Sequence, residues 1–298
     1  MRNSNKNTNN RFFVLGVLFL IFLILVTLFF ILKEIKPMLP PVKTKIIQPF
    51  KKAIIQPFVK PPPIKPPVVK EEKGHGEIAF DIDDAGWNTE IIGAVKKLQP
   101  YPVTVAVIPD TPYGVYDAKA LSKMPNCQVI MHLPLEPDNP RDMTGLKFLT
   151  INMSAKQIKH RFDGFYKELG RYIVGVNNHE GSLFTSNKEK MKELLMDLKS
   201  KNKNLFFLDS MTSPYSVVGT EAEKLGVKTA KRDVFLDDNT SYNSVVQSIE
   251  ETKQVALEDG HAIAIGHVLP ETLAALEQQV PLIAQEGYKL VFVSQLVH

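Results

Sequence analysis

Three acids crowd the stretch IAFDIDDAGWN: Asp81, Asp83 and Asp84, just ahead of Gly86. Like charges this close repel one another. A chain tolerates them where a cation neutralises them, where a proton is moved, or where a turn is simply solvated. Three histidines stand at the ends of other apolar runs: His132 in VIMHLPLEP, His179 in VNNHEGS and His267 in AIAIGH. A carboxylate and two imidazoles suit zinc or a similar divalent ion, and three protein ligands leave a position for water. Such an ion lowers the pKa of water towards about 7 and polarises a carbonyl. A second carboxylate can take the water's proton, and a third imidazole can protonate a leaving amine. Asp83 or Asp84, with His132, His179 and His267, supplies the residue types for all of these roles.

Each residue also has a plainer reading. The Asp pair suits the N-cap of a helix starting near Asn88. His132 between Met131 and Leu133 fits a hydrogen-bonded core histidine, His179 in NNHEG fits a turn, and His267 fits a helix start. Trp87 reads as core, with a sugar-stacking platform beside the Asp pair as the alternative. Asp81 is expected to alternate away from Asp83 if the strand runs through both. Cys127, the one cysteine, reads as a small core residue and excludes an intrachain disulfide.

These residues need elements to position them. From Glu77 onward, short β-branched runs alternate with longer amphipathic ones. Strands are expected at 78–82, 103–108, 128–132, 172–176, 205–209, 227–230, 262–266 and 289–293. Helices are expected at 89–98, 154–169, 188–201, 240–259 and 271–286; the second opens with SAKQ, a Ser-x-x-Gln capping box. This rhythm predicts an α/β fold, a distorted (β/α) barrel of seven or eight mostly parallel strands. In such a barrel the strand C-termini share one face, where active sites are built. A doubly wound open sheet is the alternative, but no Gly-rich phosphate loop follows the first strand.

The segments ahead of Gly74 read differently. Residues 12–32 carry no charge and, as a helix, would span roughly 31 Å, a bilayer core. With Arg2, Lys6 and Arg11 before the run, we expect a short cytoplasmic tail at 1–11 and an uncleaved single-pass anchor at 12–32. Residues 33–73 are a Pro/Lys-rich linker in which IIQPF occurs twice, suited to an extended spacer. Residues 74–298 are then a domain held outside the cytoplasm, in a periplasm or at the cell exterior.

The formal charge of +4 hides a split. Residues 1–73 hold 13 Lys and Arg against 3 acids, leaving 23 against 29 for the rest. The basic balance belongs to the N-terminal segment, and no nucleic-acid partner is expected.

In order, IAFDIDDAGWN, VTVAVIPDTPYG, VIMHLPLEP, VGVNNHEGSLFTSN, LFFLDSMTSPYSV, RDVFLD and AIAIGHVLPETLAAL resemble the divergent polysaccharide deacetylase family across 77–298. That family is similar to the carbohydrate esterase deacetylases, distorted barrels that remove N- or O-acetyl groups from polysaccharides at a divalent metal. The resemblance implies Asp83 as catalytic base, Asp84 as metal ligand and His267 as general acid. The esterases take their other ligands from a His-x-x-x-His pair. Here Glu136 stands four residues after His132, so His179 is assigned as the second imidazole. Asn177, Asn178, Asp209, Arg232 and Glu136 are the expected substrate-binding or ligand-orienting residues.

The expected function is metal-dependent removal of acetyl groups, with a divalent ion (zinc by its donors), an acetylated polysaccharide and the membrane as partners. No protein partner is indicated. The alternative is a non-catalytic glycan-binding or envelope-assembly protein on the same scaffold; phosphoester or amide hydrolysis is a third reading.

Overall fold

The computed structural model describes residues 74–143 and 145–298. The expected tail, anchor and linker at 1–11, 12–32 and 33–73 lie outside the described residues, among which no helix is long and apolar enough to cross a membrane.

The chain alternates strand and helix: β1 (Glu77–Ala85), α1 (Glu90–Leu98), β2 (Val103–Val107), α2 (Gly114–Leu121), β3 (Cys127–Leu135), α3 (Ala155–Leu169) and β4 (Gly175–Glu180). It continues with α4 (Ser182–Thr185), α5 (Lys188–Lys201), β5 (Phe206–Asp209), α6 (Val218–Leu225), β6 (Thr229–Lys231) and β7 (Val234–Phe235). Last come α7 (Tyr242–Asp259), β8 (His261–His267), α8 (Pro270–Gln285) and β9 (Lys289–Leu290). The strands form one parallel sheet in the order β6-β5-β4-β3-β2-β1-β8-β7, with β9 beside β1.

The outermost strands β6 and β7 are separated in sequence only by Arg232 and Asp233. The Arg232 amide donates to Asp209 O of β5, and the Asp233 amide to Ile263 O of β8, both at 2.9 Å. Two residues thus carry the chain from one edge to the other, and the sheet curls into the expected distorted barrel.

Helix α3 shows why the sequence folds so locally. Ser154 caps it, accepting from the Gln157 amide while Gln157 Oε1 accepts from the Ser154 amide. Its stripe of Ile158, Phe162, Phe165 and Leu169 is buried, each such side chain contributing roughly 1.5–3 kcal/mol. A second, smaller core fills the barrel: Ala79, Ala106, Ile130, Phe206, Leu208, Ile263 and Ile265. Cys127 is buried, and burial first, with the Asp81 charge second, pushes its thiol up to about 12.

Four expectations need correction. The strand expected at 172–176 lies at Gly175–Glu180, so the polar run NNHE is inside the ladder. β1 and β3 likewise run past their apolar cores, because backbone pairing is indifferent to side-chain polarity. The last expected strand is reduced to Lys289–Leu290 before a 3₁₀ turn at Val293–Gln295. The short helices α2 and α6 and strand β7 were not expected; each is too brief to show a period.

Candidate metal centre and active site

The centre is built from the inner face of the barrel. Side chains along a strand alternate with a period of two, so Ala79, Asp81 and Asp83 all point inward. The expected divergence of Asp81 from Asp83 is therefore wrong: the strand does run through both, and its period puts them on one face. The same phase places His132 above Ile130 and His267 above Ile265. Apolar residues fill the barrel low down, and polar ones line its mouth.

Asp84 would point outward by that rule. Instead the register between β1 and β2 shifts between Ile82 and Ala85, and Asp84 takes a left-handed φ of 66°. This bulge turns the Asp84 carboxylate to the same mouth as Asp83. Gly86 completes the turn at φ +121°, where a Cβ would stand 2.3 Å from Thr111 Oγ1. Glu180 and Met211, at the ends of β4 and β5, are also left-handed. Backbone strain thus gathers around the mouth.

Asp84 Oδ1 lies 3.2 Å from His132 Nε2 and 3.0 Å from His179 Nδ1. Single ligand atoms from Asp84, His132 and His179 all fall within 4.8 Å of one another. Asp83 Oδ2 is 3.6 Å from His132 Nε2. The two imidazoles meet edge to face with centroids 4.9 Å apart.

Asn177 organises this cluster. Its amide donates to Asp83 Oδ1 at 2.8 Å and to Asp81 Oδ2 at 3.1 Å. Its Oδ1 must then accept from His132 Nδ1, 2.7 Å away. In the neutral ring this leaves the Nε2 lone pair facing Asp84 Oδ1, which is itself buried and has no hydrogen-bond partner. Two acceptors held face to face need a proton or a metal cation between them. The donor set therefore fits a divalent metal ion.

Burial, opposed by His267 and Asn177, pushes Asp83 up to about 7. Burial and the Asp83 charge raise Asp81 well above the carboxylate range. Burial would also raise Asp84, but the His132 and His179 imidazoles outweigh it and hold that carboxyl low.

On the adjacent strand, His267 pairs in register with Asp83 across β1 and β8. Its Nδ1 lies 2.9 Å from Asp237 Oδ1, while its amide donates to Asp237 Oδ2 at 2.7 Å. Thr272 donates its hydroxyl to the same Oδ2 at 2.7 Å. Burial alone would lower His267, but the Asp237 hydrogen bond and the Asp83 charge push it up to about 9. Sequence reasoning missed Asp237 and Thr272. The one available signal was FLDD, a carboxylate pair after a short apolar run.

The other expected residues brace the mouth. Asn178 accepts from the Ser210 amide and donates to Glu180 O and Thr212 Oγ1, tying β4 to the β5 loop. Asp209 accepts from the Met211 amide and the Ser216 hydroxyl, and burial raises its pKa. Arg232 donates to Ser210 O and Met211 O and lies 4.8 Å over the Phe235 ring. Glu136 is not at the centre: its carboxylate accepts from the Ile151 amide at 2.6 Å. Trp87, expected in the core, is 46% exposed.

A model of the divergent polysaccharide deacetylase family matches residues 82–297. An uncharacterized protein of Haemophilus influenzae is 34% identical over 208 residues, covering 67% of this chain and 70% of its own. The uncharacterized protein YibQ of Escherichia coli is 33% identical over 207 residues, covering 69% of this chain. The match spans only 62% of YibQ's own length. Among solved structures, an uncharacterized protein from Agrobacterium tumefaciens shares the fold with a TM-score of 0.66 at 21% identity. That likeness covers 76% of this chain and 90% of the other.

Proposed function

The chain belongs to the divergent polysaccharide deacetylase family, and we propose that it is a hydrolase removing acetyl groups from a polysaccharide at a divalent ion, zinc by its donor set. The carrying observation is the convergence of Asp84, His132 and His179 within 4.8 Å, with Asp83 and His267 in register beside it.

Asp84, His132 and His179 would hold the ion. When bound, it supplies a Lewis acid that acidifies water and polarises the acetyl carbonyl. Asp83, held by the Asn177 amide, accepts the proton of the attacking water. His267, held by Asp237, donates a proton to the departing nitrogen or oxygen as its bond to the acetyl carbon breaks. The water's oxygen leaves in acetate, and the sugar keeps an amine or hydroxyl. Asn178, Asp209 and Arg232 keep the strand-end loops in place around the sugar.

The reading extends to location. The uncharged run at 12–32 and the proline-rich linker at 33–73 support a single-pass anchor and spacer, with the domain at 74–298 outside the cytoplasm. Protease added to cells stripped of any outer membrane and wall degrades the domain on this reading, while a cytoplasmic control protein survives; a protected domain contradicts it.

Acetate release from acetylated glycans by the zinc-loaded protein tests the activity. We expect release that a chelator abolishes. Glycan binding that survives the chelator, without any acetate release, would favour the non-catalytic glycan-binding reading.

A further inference from the structure

We propose that the face opposite the mouth docks on an anionic lipid surface, through an arc of lysines at the starts of β2, β3, β4, β5 and β6. This goes beyond the deacetylase reading and does not depend on it.

Five helix-to-strand connections build the arc, each counted from the last turn of the helix to the residue before the strand. Segments 95–102, 118–126, 166–174, 198–205 and 222–228 hold 11 of the 23 Lys and Arg of residues 74–298, but only 2 of the 29 acids. They lead into β2 to β6, which are consecutive neighbours in the sheet, so their charges gather on one contiguous rim. Lys96, Lys123, Arg171, Lys203 and Lys228 are exposed, and among the described residues none of them has an ion-pair partner. The rest of the domain is acidic, with 12 cations against 27 acids. The other two connections, 256–260 and 282–288, carry Glu258, Asp259 and Glu286 and no cation.

Cations suit the last turn of a helix, where they meet the negative end of its dipole. That accounts for Lys96, Lys97 and Lys199. It does not account for Lys123, Arg171, Lys203 and Lys228, which lie beyond the caps at Ser122, Gly170, Asn202 and Gly226. Nor does it apply to α7 and α8, whose last turns carry no cation. Ten of the eleven are Lys, a compact charge without fixed geometry, which suits a fluid layer of headgroups. A discrete phosphate site favours converging Arg forks instead. The nine residues of β1 span roughly 30 Å. Screening acts within about 8 Å at physiological ionic strength, so the acidic mouth does not cancel the arc. The chain enters the domain at Gly74, just ahead of β1, and β1 is the sheet neighbour of β2. The anchor expected at 12–32, followed by ten lysines against three acids at 33–73, makes an anionic bilayer the polyanion within reach. With the arc on lipid, the metal centre faces away from the membrane.

The full chain is reconstituted in lipid nanodiscs of phosphatidylcholine, alone or with roughly one-third phosphatidylglycerol. Its lysines are acetylated by a water-soluble reagent and read by peptide mass spectrometry. We expect Lys123, Lys203 and Lys228 to react about threefold or more slowly in the anionic discs, with the contrast lost in about 0.5 M salt. Lys156 and Lys188, exposed at helix starts on the mouth side, should react equally in both discs. Lys203→Glu combined with Lys228→Glu should cut the contrast at Lys123 by about half or more. Equal rates in both discs, slowing of Lys156 and Lys188 by the same factor, or an undiminished contrast in the double variant overturns the proposal. Slowing by soluble polyphosphate but not by the anionic discs also overturns it, and makes the arc a site for soluble polyanions. Loss of the chain from the uncharged discs contradicts the anchor alone, because the anionic discs still read the arc.

Discussion

Asp83 and His267 stand in register on adjacent parallel strands, the carboxyl pushed up to about 7 and the imidazole up to about 9. A base must be ionised and an acid protonated at the same pH, and this order leaves a window between the two values where both conditions hold. A bound cation lowers both groups, favouring the Asp83 carboxylate and disfavouring the His267 imidazolium, so the window moves to lower pH.

The pH profile of acetate release should therefore fall on the alkaline side, at or below about 9, as His267 loses its proton. Asp237→Asn removes the charge that helps raise His267 and turns one of the two acceptor oxygens into a donor, so the alkaline limb should move to lower pH. Turnover at the optimum should drop by about tenfold or more. An unmoved limb in kcat/KM against pH would show that Asp237 does not tune His267.

Asp83→Asn should retain the metal and lose turnover by about 10²-fold or more, because the amide keeps the shape but cannot take a proton. Metal analysis beside acetate release checks both halves. Full turnover in this variant would move the base elsewhere.

Much of this centre was legible in the sequence, because metal and proton chemistry admit few residue types. Asp83, Asp84, His132, His179 and His267 announce themselves by type at the ends of apolar runs. What was not legible depends on meetings in space. Asp237 gains its role only by lying against His267, 30 positions on. Asp81 was assigned the wrong face although the period of the strand decides it. The bulge at Asp84 left no pattern in the residues, and Trp87 looked like core because exposure is a property of the fold. The barrel followed from the βα rhythm; its closure through Arg232 and Asp233 did not, since a two-residue link between two short strands carries no period.

Asn177→Ala should weaken metal affinity by about 10–100-fold, since it frees His132 Nδ1 and removes the tautomer constraint. Competition against a fluorescent zinc chelator measures this. An unchanged affinity would mean that His132 is oriented by something other than Asn177.

Gly181→Ala should destabilise the domain by about 1–3 kcal/mol. Its φ is +92°, and a Cβ would stand 2.7 Å from Leu135 Cβ, forcing β3 away from the end of β4. Urea unfolding checks the loss, and metal affinity should fall with it because His179 is two residues away.

The central claim is that a metal sits at Asp84, His132 and His179, and metal content tests it most directly. The protein is purified without chelators and assayed for bound metals, with Asp84→Ala and His132→Ala as controls. The account predicts about one zinc or similar ion per chain in the parent and loss in both variants. No stoichiometric metal after loading with zinc, cobalt or nickel would contradict it.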